Sequence, residues 1–421
     1  MHCSPRKQPR TQPPGSVDWL FLDMNAYFAS CEQQRQPALR GRPVAVVPTM
    51  TDRTCCIAVS YEARPYGVTT GTNVGEARRR CPGLQLVQGR HEHYIELHHQ
   101  IVAAVNTVLP VEKVCSIDEM ACRLPPQKRG AEDAQRVARD VKRAIAEQVG
   151  PYLRCSIGLA PNRFLAKVAS NLNKPDGLST ILREQLPRRL HTLRLSDLQG
   201  IGANMQRRLA SRGVTSVRQL CALSKPAMRE VWQSVLGEQW WHMLRGDDVE
   251  ERPSTHQTVG HSHVLAPRLR TDAGVWAVLV RLLHKAAARL RKMSLVARRL
   301  LVQVRYVGDR PSWCVKAPVN RCSDTPTLLK ALAAAWRDRP LDATPLQAAV
   351  TLTHLQPARG TPLPLFAEDR AAVRAAETMD AINKRVGANT LYFASMHETR
   401  EAAPMRIAFS HIPDIDSEMA G

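Results

Sequence analysis

Hydrophobic residues in the N-terminal half of the chain alternate between short apolar runs and longer segments with helical spacing. Runs of strand length occupy residues 18–22, 111–117, 120–124 and 154–159. Helical spacing predicts helices at residues 26–34, 91–108, 131–149 and 162–172. Asn25 precedes the first helix and is expected to cap it. With residues 40–85 treated as an insertion, the order of elements predicts a split βαβ, ferredoxin-like sheet.

The pattern changes after residue 177. Residues 185–250 read as short helices around a Gly200-Ile201-Gly202 turn. Residues 255–355 form a separate α/β segment, with strands predicted at 300–307 and 348–354 and a helix at 275–292. A further helical pattern covers residues 370–386, and the first sixteen residues, which contain no apolar run, predict a disordered basic tail over 1–16.

The charge of the chain indicates what kind of molecule it binds. The 421 residues include 59 Lys and Arg against 38 Asp and Glu, a formal net charge of +21. Between residues 268 and 310 there are eleven basic residues and two acidic ones, Asp272 and Asp309. A polyanionic partner is therefore expected, nucleic acid first and an anionic membrane surface second. No apolar run is long enough to span a bilayer, so the sequence predicts that the chain is not an integral membrane protein.

Three carboxylates stand at the ends of predicted strands. Asp23 follows the first strand, and Asp118 and Glu119 occupy the tip of the predicted hairpin. The first and third strands of a ferredoxin-like sheet are neighbours, so the three acids are expected to converge at one edge. Clustered carboxylates repel each other unless a cation lies between them, and oxygen ligands suit Mg²⁺. Taken singly, each acid is better explained by a structural role, Asp23 as a turn residue at the end of a strand and Asp118 and Glu119 as a solvated hairpin tip.

Four short segments support the interpretation of these three acids as catalytic residues. They occupy residues 23–28 (DMNAYF), 60–64 (SYEAR), 116–119 (SIDE) and 174–177 (KPDG). In this order and at these separations they resemble the Y-family translesion DNA polymerases, closest to the bacterial DNA polymerase IV-like branch. The resemblance extends from about residue 17 to residue 355, some four fifths of the chain.

The resemblance implies an α+β multidomain, right-hand polymerase. Such a protein has a ferredoxin-like palm, small fingers, a helical thumb with a helix-hairpin-helix element, and an α/β little-finger domain. The implied boundaries are a palm at 17–38 and 86–178, fingers at 39–85, a thumb at 179–250, a little finger at 255–355 and a tail at 356–421.

The resemblance also implies roles for individual residues. The catalytic metal-binding acids are Asp23, Asp118 and Glu119, and the carbonyl of Met24 is a backbone metal ligand. Two Mg²⁺ ions about 4 Å apart would activate a hydroxyl and stabilise a leaving phosphate. The expected nucleotide-binding residues, with Phe28 as the ring that collides with a ribose 2′-OH, are Tyr27, Phe28, Tyr61, Arg64 and Lys174.

Further positions match elements that bind DNA or a sliding clamp. Gly200 and Gly202 would let backbone N–H groups approach a DNA phosphate. In the basic segment, Arg298 and Arg299 would contact the template–primer duplex through its phosphates. The segment 362–366 resembles the peptide with which bacterial polymerases hold the clamp, through Leu363, Leu365 and Phe366, with Pro362 where the motif usually has Gln.

The implied function is template-directed, low-fidelity extension of primers across damaged DNA, with dNTPs as substrates. The partners would be primer–template DNA and the sliding clamp, with no membrane, for a monomer in the cytoplasm at the nucleoid. The alternative is a non-catalytic adaptor of the same fold that binds only DNA or the clamp. A nucleotide cyclase is a third reading, but it needs neither the thumb turn nor the basic C-terminal domain.

Overall fold

The computed structural model describes residues 15–249, 257–340, 342–359, 367–387, 390–399 and 402, apart from the side chain of Asp369. The chain divides into two units, whose described residues lie before residue 250 and after residue 256. The clamp-like segment 362–366 and residues 1–14 of the predicted tail lie outside the described residues. Ser16, which the sequence placed in that tail, is buried and forms a β-bridge with Gly130.

The first unit contains two sheets and a set of helices. Its strands are β1 (Trp19–Met24), β2 (Val44–Val47), β3 (Ala58–Val59), β4 (Gln85–Gln88), β5 (Lys113–Val114), β6 (Glu119–Arg123), β7 (Cys155–Ala160) and β8 (Leu178–Thr180). Its helices are α1 (Tyr27–Arg35), α2 (Val74–Arg80), α3 (His91–Asn106), α4 (Ala131–Gln148), α5 (Arg163–Leu172), α6 (Ala203–Ala210), α7 (Val217–Ala222), α8 (Lys225–Trp232) and α9 (Leu236–Met243).

The larger sheet has the strand order β5-β6-β1-β7-β8, with β1 antiparallel to both of its neighbours. Without β8, which adds to the edge parallel to β7, this is the order of a ferredoxin-like sheet, so the predicted fold class is confirmed. Every residue of β1 and β7 is buried, which requires cover on both faces of the sheet. Helix α5 packs on β1 and β7, and α4, which packs against α3, also contacts β7.

The contact between α5 and β7 is close because of Gly158. A Cβ added to Gly158 would lie 2.0 Å from the carbonyl oxygen of Ala166 and 2.3 Å from the backbone nitrogen of Ser170. Glycine therefore lets the helix backbone approach the strand without an intervening side chain. The same approach brings Lys167, the residue after Ala166, over the end of β1.

The inserted segment forms its own small sheet, in the order β3-β2-β4. Strand β2 is antiparallel to β3 and parallel to β4, and a separate apolar cluster that includes Val47, Val59 and Val74 lies beneath it. Helices α6 to α9 follow the ferredoxin-like sheet in the chain and share one apolar cluster with α5, which contains Leu165, Leu209 and Trp240.

The second unit is an antiparallel sheet covered by helices. Its strands are β9 (Thr258–Val264), β10 (Leu295–Tyr306), β11 (Trp313–Cys322), β12 (Pro345–Thr353) and β13 (Gln356–Pro357), and its helices are α10 (Asp272–Lys292), α11 (Thr325–Trp336) and α12 (Ala367–Val386). The main sheet has the order β11-β10-β12-β9. Helix α10 packs on β9 and β12, and α11 packs on β11. Along β12, buried residues alternate with partly exposed ones, so the helices cover one face of the sheet.

Part of the predicted tail packs on this second unit. Helix α12 lies against α11, and the Arg291 guanidinium donates two hydrogen bonds to the Asp380 carboxylate, of 2.6 and 2.7 Å. Met396 is fully buried in the same apolar cluster as α10. Within the described part of the chain, no helix is long and apolar enough to cross a membrane.

Candidate active site

The three acids predicted from the sequence come together where β1 ends and β6 begins. Asp23 and Glu119 are directly paired across the two strands, and the Met24 N–H donates a 2.8 Å hydrogen bond to the Asp118 carbonyl. Antiparallel pairing brings the end of one strand beside the start of the other, so residues 96 positions apart become neighbours. The Asp23 side chain is 7% exposed and that of Glu119 is 22% exposed.

A lysine that the sequence reading missed lies between two of these acids. The Lys167 ammonium, on α5, forms ion pairs with Asp23 and with Glu119, the latter with an N–O distance of 2.7 Å. Burial opposes its charge, but the two carboxylates outweigh burial and raise the pKa of Lys167. The signal available in the sequence was one lysine within a helical segment whose other residues, from Leu165 to Ser170, are apolar or small.

The acids of the hairpin are held in a partly dehydrated environment. Burial raises the pKa of Asp118, against the lowering effect of a 2.6 Å hydrogen bond from the Ser116 hydroxyl. Burial also raises the pKa of Glu119, against the lowering effect of Lys167. The Asp23 charge raises the pKa of both groups further. This arrangement therefore favours a cation beside the acids.

The side chains at this site offer oxygen donors for a metal ion. No group of three His, Cys, Asp or Glu residues within the described ranges is arranged closely enough to enclose an ion. Asp23 and Glu119 nevertheless share one cation already, the Lys167 ammonium, and the Lys174 ammonium lies 2.6 Å from the second oxygen of Asp23. Oxygen donors around a position that holds positive charge suit a hard divalent cation.

Tyr61 and Arg64 lie in a short 3₁₀ helix, Tyr61–Tyr66, that follows β3. The Arg64 guanidinium carbon stacks 3.7 Å from the centre of the Tyr61 ring. Burial raises the pKa of Tyr61, the Arg64 guanidinium opposes that rise, and the charge of Asp23 adds to it. A planar guanidinium held over an aromatic ring is suited to binding phosphate oxygens.

Phe28 and Tyr27 begin helix α1 but face different surroundings. The Phe28 ring is partly exposed and stacks on Tyr94 of α3, with ring centres 4.5 Å apart and an angle of 16° between the planes. Tyr27 is 4% exposed, and its hydroxyl donates a 2.6 Å hydrogen bond to the Tyr94 carbonyl. The structure thus places the Tyr27 side chain in the core, so a contact with nucleotide would have to come from its backbone.

Buried polar groups fix the ring beneath Phe28. The Tyr94 hydroxyl donates a 2.7 Å hydrogen bond to Glu32, which is fully buried and forms an ion pair with Arg90. A buried carboxylate is stable only when its oxygens are bonded in this way. The Tyr94 ring, and the Phe28 ring stacked on it, are therefore held in one orientation.

Asn25 does not cap α1 as predicted. Ala26, in a left-handed conformation with φ of 48°, precedes the helix, and no side chain caps it. The Asn25 amide instead donates a 3.0 Å hydrogen bond to the Ser156 hydroxyl and accepts a 2.7 Å bond from the Asp176 N–H. Asn25 thereby ties the end of β1 to β7 and to the turn after Lys174. The Asn25 side chain therefore bonds to residues distant in sequence instead of capping the adjacent helix.

The predicted DNA-binding residues lie in both units. Gly200 has a φ of 99°, in the left-handed region that favours glycine, and Gly202 directly precedes helix α6. In the second unit, Arg298 and Arg299 are both exposed although they are consecutive in β10. The pairing of β10 with β11 shifts register between Ala297 and Arg299, and this bulge explains why strict alternation fails there.

Comparisons with known proteins agree with the sequence resemblance. A model described as the impB/mucB/samB family matches residues 22–171, and the model of that family's C-terminal domain matches residues 256–365. DNA polymerase IV of Alkalilimnicola ehrlichii is 31% identical over 291 residues, which span 68% of this chain and 81% of that protein. The chain belongs to the Y family of DNA polymerases. The family resemblance drawn from the four short segments is thus confirmed.

Other relatives and solved structures extend the match. DNA polymerase IV 1 of Bacillus subtilis is 26% identical over 387 residues, which span 89% of this chain and 92% of that protein. A Y-family DNA polymerase chimera of Dbh and Dpo4 matches with a TM-score of 0.68 and 20% identity, over 81% of this chain and all of that one. An insertion ternary complex of Dbh DNA polymerase matches with a TM-score of 0.53 and 22% identity, over 80% of this chain and 98% of that one. These two structures show the same fold.

Proposed function

We propose that this chain is a template-directed DNA polymerase that extends primers across damaged DNA with low fidelity. The main support for the proposal is that Asp23 pairs with Glu119 across two strands, with Asp118 adjacent. The Lys167 ammonium lies between Asp23 and Glu119, at a place suited to a cation. That arrangement occurs in a chain whose relatives include DNA polymerase IV over most of their length. A non-catalytic adaptor would be expected to lose the metal-binding acids, whereas this chain keeps all three.

The reaction is transfer of a nucleotide from a dNTP to a primer. The primer 3′-oxygen loses its proton and forms a bond to the α-phosphorus, while the bond from that phosphorus to the pyrophosphate oxygen breaks. We assign Asp23, Asp118, Glu119 and the Met24 carbonyl as ligands for two Mg²⁺ ions. Divalent ions of this kind lower the pKa of a bound hydroxyl and stabilise charge on a leaving phosphate.

The neighbouring side chains would select and hold the nucleotide. The basic groups assigned to the triphosphate are Arg64, which lies over the Tyr61 ring, and Lys174, which lies beside Asp23. Phe28 is partly exposed and cannot tilt away easily, because Tyr94 supports its face. We assign it to exclude a ribose 2′-hydroxyl by volume.

Duplex DNA would be held through its phosphates rather than its bases. We assign this contact to the N–H groups around Gly200 and Gly202 and to the exposed Arg298 and Arg299. We further propose that segment 362–366 binds the sliding clamp, and that the protein acts as a monomer in the cytoplasm at the nucleoid. The net charge of +21 supports a polyanionic partner.

The test is primer extension on undamaged and lesion-bearing templates with Mg²⁺ and four dNTPs. The wild type is expected to extend both, and Asp118→Asn is expected to abolish extension while it binds DNA within a few-fold of wild type. Asp140→Asn, in an exposed ion pair on α4, is the matched control and is expected to extend normally. Tight DNA binding by a wild type that extends neither template would establish the adaptor reading instead.

A further inference from the structure

Helix α3 carries a buried histidine that none of the assigned roles uses. His98 is 2% exposed, and its Nδ1 lies 2.7 Å from the carbonyl oxygen of Ile117. A carbonyl only accepts, so Nδ1 carries the hydrogen in this bond. Burial lowers the pKa of His98 to about 4, so the ring is neutral at neutral pH. Its role here is that of a fixed hydrogen-bond donor.

The acceptor of this bond is the residue directly before Asp118. The Ser116 hydroxyl donates to the Asp118 carboxylate at 2.6 Å, and the Met24 N–H donates to the Asp118 carbonyl at 2.8 Å. The turn that presents Asp118 is therefore held from three sides, by its own serine, by β1 and by His98 on α3. Loss of one support would leave the acid able to sample other positions.

Packing alone gives no reason for a histidine at this point of α3. The residues around it in the helix, Leu97 and Ile101, are buried and apolar. A buried imidazole costs free energy of dehydration that an apolar side chain would not, unless it is bonded. One turn earlier on the same helix, Tyr94 stacks beneath Phe28. The same helix thus contacts both the turn that presents Asp118 and the ring assigned to sugar selection.

We propose that His98 is a positioning residue, which fixes Asp118 for divalent-ion binding by donating a hydrogen bond to the Ile117 carbonyl. The proposal rests on the proposed function, because it gives Asp118 a metal to bind. Its effect should appear in ion affinity rather than in the chemical step, since His98 touches a backbone carbonyl and no assigned ligand side chain.

The test compares two neutral amides at this position. In His98→Asn the amide nitrogen occupies about the place of Nδ1, whereas in His98→Gln it lies one bond farther along the side chain. Binding of Mn²⁺ to the complex with primer–template DNA and a non-hydrolysable dNTP is measured by electron paramagnetic resonance. Gln100→Asn, at an exposed residue of the same helix, is the control and should match wild type.

The expected results separate positioning from stability. His98→Asn should bind Mn²⁺ within about twofold of wild type, and His98→Gln about tenfold more weakly, which corresponds to about 1.4 kcal/mol. In primer extension, His98→Gln should need about tenfold more Mg²⁺ for its half-maximal rate but approach the wild-type rate at saturation. If His98→Gln does not fold, His98→Phe, which keeps a ring and lacks the donor, takes its place with the same expectation.

Equal Mn²⁺ affinity for wild type and for His98→Gln, or for His98→Phe if His98→Gln does not fold, would overturn the proposal. So would equal weakening in His98→Asn and His98→Gln, since the donor would then not matter. A wild type that extends no primer and binds no Mn²⁺ would instead refute the proposed function, which is a different result because it does not depend on His98.

Discussion

Replacing Lys167 tests most directly how Asp23 and Glu119 are held side by side when no metal ion is bound. Replacing it with methionine keeps most of the side-chain volume and removes the charge shared by Asp23 and Glu119. Both carboxylates are largely buried, so the variant leaves them facing each other with only Lys174 beside Asp23. We expect Lys167→Met to be destabilised in the absence of divalent ions.

The magnitude follows from the burial of the pair. Removing one partner of a buried ion pair typically costs about 3–5 kcal/mol, because the remaining charge stays dehydrated and unpaired. The side chains of Lys167 and Asp23 are 9% and 7% exposed, so solvent screening gives little relief. For a unit of this size, 1 kcal/mol corresponds to roughly 2–4 °C in Tm. The expected fall is therefore about 10 °C.

Divalent ions should reverse part of this loss. A ligand that binds only the folded state raises Tm, and the lysine competes with it for the same oxygens. Thermal unfolding is measured in EDTA and in Mg²⁺ for wild type, Lys167→Met and Lys128→Met, an exposed lysine of the same unit that should behave as wild type. An unchanged Tm for Lys167→Met in EDTA, or equal stabilisation of wild type and variant by Mg²⁺, would refute this reasoning.

Three further predictions test other parts of the molecule. Phe28→Ala should raise ribonucleotide incorporation by roughly two orders of magnitude with dNTP use nearly unchanged, and an unchanged ratio would mean that another residue excludes the 2′-hydroxyl. Gly158→Ala should cost about 3 kcal/mol in thermal unfolding, because its Cβ would lie 2.0 Å from a helix carbonyl oxygen; a wild-type Tm would contradict that packing. Burial lowers the pKa of His284 to about 4, so between pH 6.5 and pH 4 the unfolded chain binds a proton that the folded chain does not. Stability should fall by about 2 kcal/mol at pH 5, less so in His284→Gln, and identical pH profiles in calorimetry would contradict this.

The ferredoxin-like sheet could be predicted from the sequence because two of its inner strands, β1 and β7, are largely apolar runs. Strand β1 is buried along its whole length, and its register against β6 places Asp23 beside Glu119. Hydrophobic pattern, order of elements and the known neighbours in such a sheet are together enough for this result. The one long-range contact needed, between β1 and β6, followed from the strand order of such a sheet.

The details that escaped prediction depend on contacts between residues distant in sequence. Asn25 had the local signature of a helix cap, but Ser156 and Asp176 take up its side chain. Lys167 carries no motif of its own, and its importance arises because Gly158 lets α5 approach the sheet. Rules based on residues a few positions apart in the sequence do not identify such tertiary contacts.

The most direct test of the central claim is a crystal structure of the complex with primer–template DNA, a non-hydrolysable dNTP and Mn²⁺, with the ions located by anomalous scattering. We expect two Mn²⁺ peaks at Asp23, Asp118 and Glu119, next to the triphosphate, with Lys167 no longer bridging Asp23 and Glu119. DNA and nucleotide bound in the complex with no Mn²⁺ at these three acids would contradict that claim.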